Sequence, residues 1–137
     1  MAISENQIKQ IIDSLSFSPD GLIPVITQQY DTLEVLLLAW MNVTAIRETL
    51  ITGNVCYWSR SRKKIWRKGE VSGQTQTLCE FRWDCDSDSI LIMADQKGVA
   101  CHTGRRTCFY KAFRTNKISK IEPVKIDPKI LYKKDKN

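Results

Sequence analysis

The stretch that decides the fold is Leu22-Ile23-Pro24-Val25-Ile26-Thr27-Gln28-Gln29-Tyr30, then Asp31-Thr32-Leu33, then Glu34-Val35-Leu36-Leu37-Leu38-Ala39-Trp40-Met41. Two apolar, partly β-branched runs flank a short link, which predicts a β-hairpin. The nearly unbroken run Val35 to Met41 predicts a second strand buried on both faces. Just beyond it, Asn42 is a helix cap for Val43, Ile46 and Leu50, with Gly53 at the stop position. Upstream, Ser18-Pro19-Asp20-Gly21 is a turn. Ser4-Glu5-Asn6-Gln7 is a capping box opening an amphipathic helix over 4–15, with Ile8, Ile11, Ile12 and Leu15 at helical spacing.

Downstream, Val55 to Ser61 reads as a strand, and residues 62–75, with Gly69, Gly73 and many charges, as a loop. Gln76 to Asp86 and Ser89 to Gln96 read as strands joined by a tight acidic turn at Cys85-Asp86-Ser87-Asp88. Gly98 to Arg106 is a second loop and Thr107 to Phe113 a last strand. The expected class is α+β, a mostly antiparallel sheet with short helices packed on it. The expected division is a body over 1–113 and a basic tail over 114–137, docked as an extended arm or disordered.

The chain has 137 residues, 42% hydrophobic and 26% charged, the size and composition of one globular domain. No apolar run approaches the about 20 residues that span a bilayer, and the first residues lack the basic start and apolar core of a signal peptide. Five cysteines, an odd count, argue against a disulfide framework and for reduced thiols in a cytoplasmic protein. The net charge is +6, but residues 114–137 carry +5 of it and the body only +1. The high overall charge is therefore no argument for a polyanion-binding face. Within the body, Arg60, Arg62, Lys63, Lys64, Arg67 and Lys68 form a basic run, and Asp84, Asp86 and Asp88 an acidic knot. That segregation suits a site binding both an anion and a cation.

Two segments concentrate chemistry: Asp84-Cys85-Asp86-Ser87-Asp88, and Cys101-His102-Thr103-Gly104-Arg105-Arg106-Thr107-Cys108. Zinc takes thiolate ligands and, with three of them from protein, keeps a position for water. Arg105 and Arg106 would help keep Cys101 and Cys108 ionised. Cysteine is also a common small core residue, the plain reading for Cys56 and Cys79. The spacing matches no zinc-finger or zinc-ribbon pattern, so residues alone leave both readings of Cys101 and Cys108 open. Asp84, Asp86 and Asp88 alternate, which puts three carboxylates on one face of an extended segment. They either hold magnesium or form a solvated turn. His102, the only histidine, sits where general acid/base work near pH 7 would need it, or is structural. Trp58-Ser59-Arg60-Ser61-Arg62 and Trp66-Arg67-Lys68-Gly69-Glu70, with Ser72-Gly73, mix cations, hydroxyls and glycines in a way that favours an anion site.

Five blocks in order resemble one family. They are Leu36-Leu37-Leu38-Ala39-Trp40-Met41-Asn42, Tyr57 to Arg62, Trp66 to Glu70 with Ser72-Gly73, Asp84 to Asp88, and Cys101 to Arg106 with Cys108-Phe109-Tyr110. From about Gly21 to Phe113 the chain is similar to phosphoribosyl-AMP cyclohydrolases of histidine biosynthesis. The resemblance implies hydrolytic opening of the adenine ring of 1-(5-phosphoribosyl)-AMP at N1–C6. It implies zinc on Cys85, Cys101 and Cys108, shared across a homodimer interface, and magnesium on Asp84, Asp86 and Asp88. The chemistry expected from it is attack of zinc-bound hydroxide on C6, with His102 moving the proton. Arg60, Arg62, Arg67, Lys68, Arg105 and Arg106 are the candidates for phosphate or ribose contact. With 24 residues after Phe113, the expectation is a chain without a fused second domain.

Two other readings use similar parts. A zinc-containing nucleic-acid-binding module would explain the basic tail, but a nearly neutral body and an acidic triad oppose it. A nucleobase deaminase needs a His-x-Glu and a Pro-Cys-x-x-Cys, and the chain has neither.

Overall fold

A computed structural model describes residues 2–132. Its strands are β1 (Ile23–Gln29), β2 (Val35–Met41), β3 (Cys56–Ser59), β4 (Lys64–Arg67), β5 (Gln76–Trp83), β6 (Ile90–Gln96), β7 (Lys111–Arg114) and β8 (Lys117–Lys120). Its helices are α1 (Glu5–Ser14), α2 (Val43–Thr52) and α3 (Pro128–Leu131). The class is α+β and mostly antiparallel, as expected.

Local signals hold closely at the helices. The Ser4 hydroxyl accepts from the Gln7 amide at 3.1 Å, and the Gln7 side chain accepts from the Ser4 amide at 2.9 Å, which closes the capping box. Asn42 Oδ1 accepts from the Ala45 amide at 2.8 Å to start α2. Gly53, at φ 75°, ends it in the left-handed conformation that costs glycine least.

The central sheet runs β2-β1-β6-β5. The β1–β2 hairpin pairs antiparallel from Ile23↔Met41 to Gln28↔Val35, and β5–β6 pairs antiparallel around the acidic turn. Between them β1 and β6 lie parallel, Val25↔Ile90 through Gln29↔Ala94. Ile23, Val25, Ile90, Ile92 and Ala94 share a buried core with Ala45 and Ile46 of α2. This is period-2 alternation with one dry face.

Three expectations need correction. β2 is an edge strand rather than one buried on both faces: Leu38 is 51% exposed and its pairing partner Ile26 38% exposed. The apolar run reflects one core face, and an outward face that the helices do not cover. Residues 62–75 are not all loop, because Lys64–Arg67 forms β4 and pairs with β3. That strand is mostly exposed, so charge masked its alternation. The last strand starts at Lys111, not Thr107, and turns at Thr115-Asn116, both at positive φ, into β8. Within the described residues, the tail meets the body through the Ile121, Lys125 and Ile126 amides and the buried Leu131, while Phe113 and Ile118 of the hairpin stay exposed; residues 133–137 lie outside them.

A buried polar chain crosses the core. The Tyr57 hydroxyl bonds Thr27 Oγ1 at 2.7 Å and donates to Gln76 Oε1 at 2.5 Å. Gln76 Nε2 donates to Gln96 Oε1 at 2.9 Å, and Gln96 Nε2 donates to the carbonyls of Gly98 and Arg106, each at 3.1 Å. Burial without a partner would cost each group heavily, so the chain is closed end to end.

Candidate active site

The acidic segment is a tight turn between β5 and β6. Asp84 Oδ1 accepts from the Asp88 amide at 3.1 Å, Asp84 Oδ2 accepts from the Ser89 hydroxyl at 3.1 Å, and Ser87 takes φ 61°. This turn, rather than an extended alternation, gathers the carboxylates. One oxygen from each of Asp84, Asp86 and Asp88 lies within 4.8 Å of the others, all exposed. Desolvation pushes the Asp84 carboxyl upward, but the Asp88 amide and Ser89 hydroxyl outweigh it and hold it below its ordinary value.

The thiol loop is built from distant pieces. The Cys101 amide donates to the Arg105 carbonyl at 3.1 Å and the Ala100 amide to the Arg106 carbonyl at 3.0 Å. The Gly104 amide returns to the Cys101 carbonyl at 3.0 Å, closing a turn with His102 exposed on it. The Thr103 hydroxyl donates to Cys101 Sγ at 3.0 Å. Across the loop, the Thr107 hydroxyl donates to the Val35 carbonyl at 2.8 Å and the Cys108 amide to the Leu36 carbonyl at 2.8 Å. Those bonds seat Cys108 on the open edge of β2.

Although Cys108 as a residue is exposed, its thiol is desolvated and lies close enough to the Cys101 sulfur to feel it electrostatically. Burial and the neighbouring sulfur push it up to about 12, while Lys68 pulls it back. Lys68 is only 6% exposed, and its Nζ donates to the carbonyls of Gln74 at 2.5 Å and Val99 at 3.3 Å. Burial lowers its ammonium to about 8, against the pull of Cys108 and Cys101. Two sulfurs and one buried cation therefore form an electrostatic unit. Lys68, a candidate for phosphate or ribose contact, is thus buried against backbone carbonyls; a lysine inside a charge run carries no sign that it turns inward.

Cys85 does not join that pair within one chain. Among the described residues, the aspartates are the single group of three or more candidate ligands with atoms within 4.8 Å of one another.

The remaining basic candidates divide. Arg67 Nε and Nη2 both donate to Glu48 Oε1, at 3.0 and 2.9 Å. Arg106 Nε donates to Glu34 Oε1 at 2.7 Å and its Nη1 to the Gly98 carbonyl at 3.2 Å. Arg105 Nε donates to the Glu122 carbonyl at 2.9 Å, and its guanidinium lies 3.9 Å from the Tyr110 ring centre. Arg60 is exposed over the Trp40 ring at 4.6 Å, and Arg62 is exposed in the β3–β4 turn. An open cleft of about 290 Å³ takes Arg67 and Lys68 into its lining with Glu48 and Gly69, apart from His102 and the acidic turn. Glu34, Glu48, Gln74 and Gln96 are the supporting residues sequence reading missed. Only the polarity of two glutamines at facing strand ends, Gln76 and Gln96, could have signalled any of this.

The family model described as phosphoribosyl-AMP cyclohydrolase matches residues 37–110. A phosphoribosyl-AMP cyclohydrolase of Halorhodospira halophila is 57% identical over 89% of this chain and 86% of its own. That of Alcanivorax borkumensis is 58% identical over 93% of this chain and 89% of its own. The enzyme of Paramagnetospirillum magneticum is 56% identical over 90% and 94%. The matched span contains the acidic turn, the thiol loop and both basic segments, and on this likeness the chain belongs to the phosphoribosyl-AMP cyclohydrolase family and is a hydrolytic enzyme.

Proposed function

We propose that the chain opens the adenine ring of 1-(5-phosphoribosyl)-AMP, a step of histidine biosynthesis, by adding water at C6 and breaking the N1–C6 bond. The water oxygen becomes the oxygen of a carboxamide at the former C6, and N1 takes up a proton in the formimino product. The observation that carries this reading is the coupled thiol pair of Cys101 and Cys108 beside His102 and the buried Lys68 ammonium.

The donor set fits zinc. The Cys108 thiol, desolvated beside the Cys101 sulfur, ionises poorly without a cation, and a soft divalent ion removes that penalty. Cys101 and Cys108 would hold it from one copy, and Cys85 from the second copy of a homodimer. The separation of Cys85 from the other two sulfurs within a chain supports that sharing. When bound, zinc supplies Lewis acidity that brings the ionisation of water towards neutral pH. The carboxylates of Asp84, Asp86 and Asp88 fit magnesium, a hard cation that takes oxygen ligands and often substrate phosphates.

The chain's own residues then divide the work. His102, exposed on the turn beside Cys101, takes a proton from water and returns one to N1. Arg60, exposed over Trp40, and Arg62, exposed in the β3–β4 turn, are the cations best free to meet a phosphate. Lys68, Arg67, Arg105 and Arg106 already bind protein groups, and their part is to shape the site around the substrate. All five cysteines are free, and no helix among the described residues is long and apolar enough to cross a membrane. A reducing cytoplasm is the compartment in this reading.

The test is an ultraviolet-monitored assay with 1-(5-phosphoribosyl)-AMP, with and without a zinc chelator. Ring opening that the chelator stops and added zinc restores is the expected result. A folded, zinc-loaded protein that turns over nothing in magnesium overturns the reading.

A further inference from the structure

The tail after Phe113 has no part in the reading above, yet it touches the turn that carries His102. The Gly104 carbonyl accepts from two tail amides, Lys125 at 2.8 Å and Ile126 at 3.1 Å. Gly104 itself sits at φ 83°, and a Cβ there would lie 1.7 Å from the Ile126 carbonyl oxygen. No side chain fits between the turn and the tail, so glycine is required both for the backbone angle and for the approach. From the other side, Arg105 donates to the Glu122 carbonyl and stacks on Tyr110. The Ile121 amide donates to the Tyr110 carbonyl at 2.7 Å, tying the start of the segment to the same place. Leu131, 5% exposed, anchors its far end.

We infer that residues 121–126 are a strap that holds the Cys101–Arg106 turn in place. Arg105 and Gly104 are thus positioning residues for the thiol loop, and Arg105 is not a phosphate ligand. The strap rests on backbone carbonyls and amides, so its sequence is free to vary while its path is fixed. One acceptor of two bonds, the Gly104 carbonyl, and one forked donor, the Arg105 guanidinium, are enough to pin a six-residue turn whose own closure is two backbone bonds. Groups that orient metal ligands from outside the first set of contacts commonly control affinity about 10- to 100-fold. The consequence for zinc rests on the assignment of Cys101 and Cys108 proposed above.

The experiment uses the full chain and two variants, Arg105→Met and Gly104→Ala. Amide hydrogen exchange is measured on zinc-free protein, and zinc affinity by competition with a chromophoric chelator. Faster exchange at Cys101, Gly104, Lys125 and Ile126, with the β1 and β6 amides still protected, is the expected result. Zinc binding about tenfold weaker or more should accompany it. If Arg105→Met instead raises KM for the nucleotide while exchange and zinc affinity stay unchanged, the strap is overturned and Arg105 is a phosphate ligand. If the wild type holds no zinc but the variants still lose protection, the strap stands and the zinc assignment falls. Should Gly104→Ala fail to fold, Arg105→Met alone decides, because it leaves the backbone conformation intact.

Discussion

The acidic turn and the thiol loop are built in opposite ways. Asp84 to Ser89 closes mostly on itself: the bonds its carboxylates accept run between residues at most five apart, one backbone bond from the Ser16 amide to the Ser87 carbonyl at 2.7 Å ties it to the rest of the fold, and its carboxylates face solvent. Cys101 to Cys108 is held by Val35, Leu36, Gln96 and the strap, from segments far apart in sequence. A turn that folds locally tolerates change within itself and communicates little. A loop assembled from four segments transmits a change in any of them, and its chemistry depends on the whole fold being in place.

The sharpest break in that comparison is Cys101→Ser. It removes a thiol from the buried pair and should abolish zinc retention and turnover together, a larger loss than the roughly 10- to 100-fold typical of outer contacts. Metal content of the purified variant, measured beside the assay, checks it; full zinc content would sink the ligand assignment. Next in size is Gln76→Leu, which leaves the Tyr57 hydroxyl and Gln96 without their buried partner. Stranding such groups costs about 1–3 kcal/mol, readable as a lower urea midpoint. Because Gln96 also holds the Arg106 carbonyl, zinc affinity should fall with it. An unchanged affinity would mean that the polar chain supports the core and not the loop.

The same contrast explains what the sequence disclosed. Ser4 with Gln7, Asn42 at the start of α2, and the hairpin around Leu33 are near-neighbour signals, each legible because its parts lie within a few residues. The acidic cluster was legible for the same reason, although the turn and not strand alternation gathers it. The parallel β1–β6 pair joins residues about sixty-five apart and leaves no local mark. Lys68 reads as one more surface cation until β4 carries it inward, and Glu34 gives no hint of Arg106 across the fold. The strap was invisible because backbone groups make it, and side-chain types do not record where a backbone goes.

A smaller effect is expected at the turn. Asp86→Asn removes one of three clustered charges from an exposed site and leaves the turn's one distant contact, the backbone bond from Ser16 to Ser87, in place. The magnesium needed for half-maximal turnover should rise about tenfold, while the urea midpoint and zinc content stay as in the wild type. Unchanged magnesium dependence would return the cluster to a plain solvated turn.

The smallest effect tests whether the turn is electrostatic at all. The folded Asp84 carboxyl sits below its ordinary value, so the folded state favours its charged form. Its contribution to stability is then complete above the ordinary aspartate range, about pH 4, and disappears as pH falls through the lower folded value. Acid unfolding in magnesium-free buffer should therefore show the wild type ahead of Asp84→Ala at neutral pH, and the two curves should converge in strong acid. The gap will be slight, because an exposed carboxylate is well screened. A gap that persists unchanged into strong acid would mean that the Asp88 and Ser89 bonds hold the turn as neutral contacts, and that charge enters only when a cation arrives.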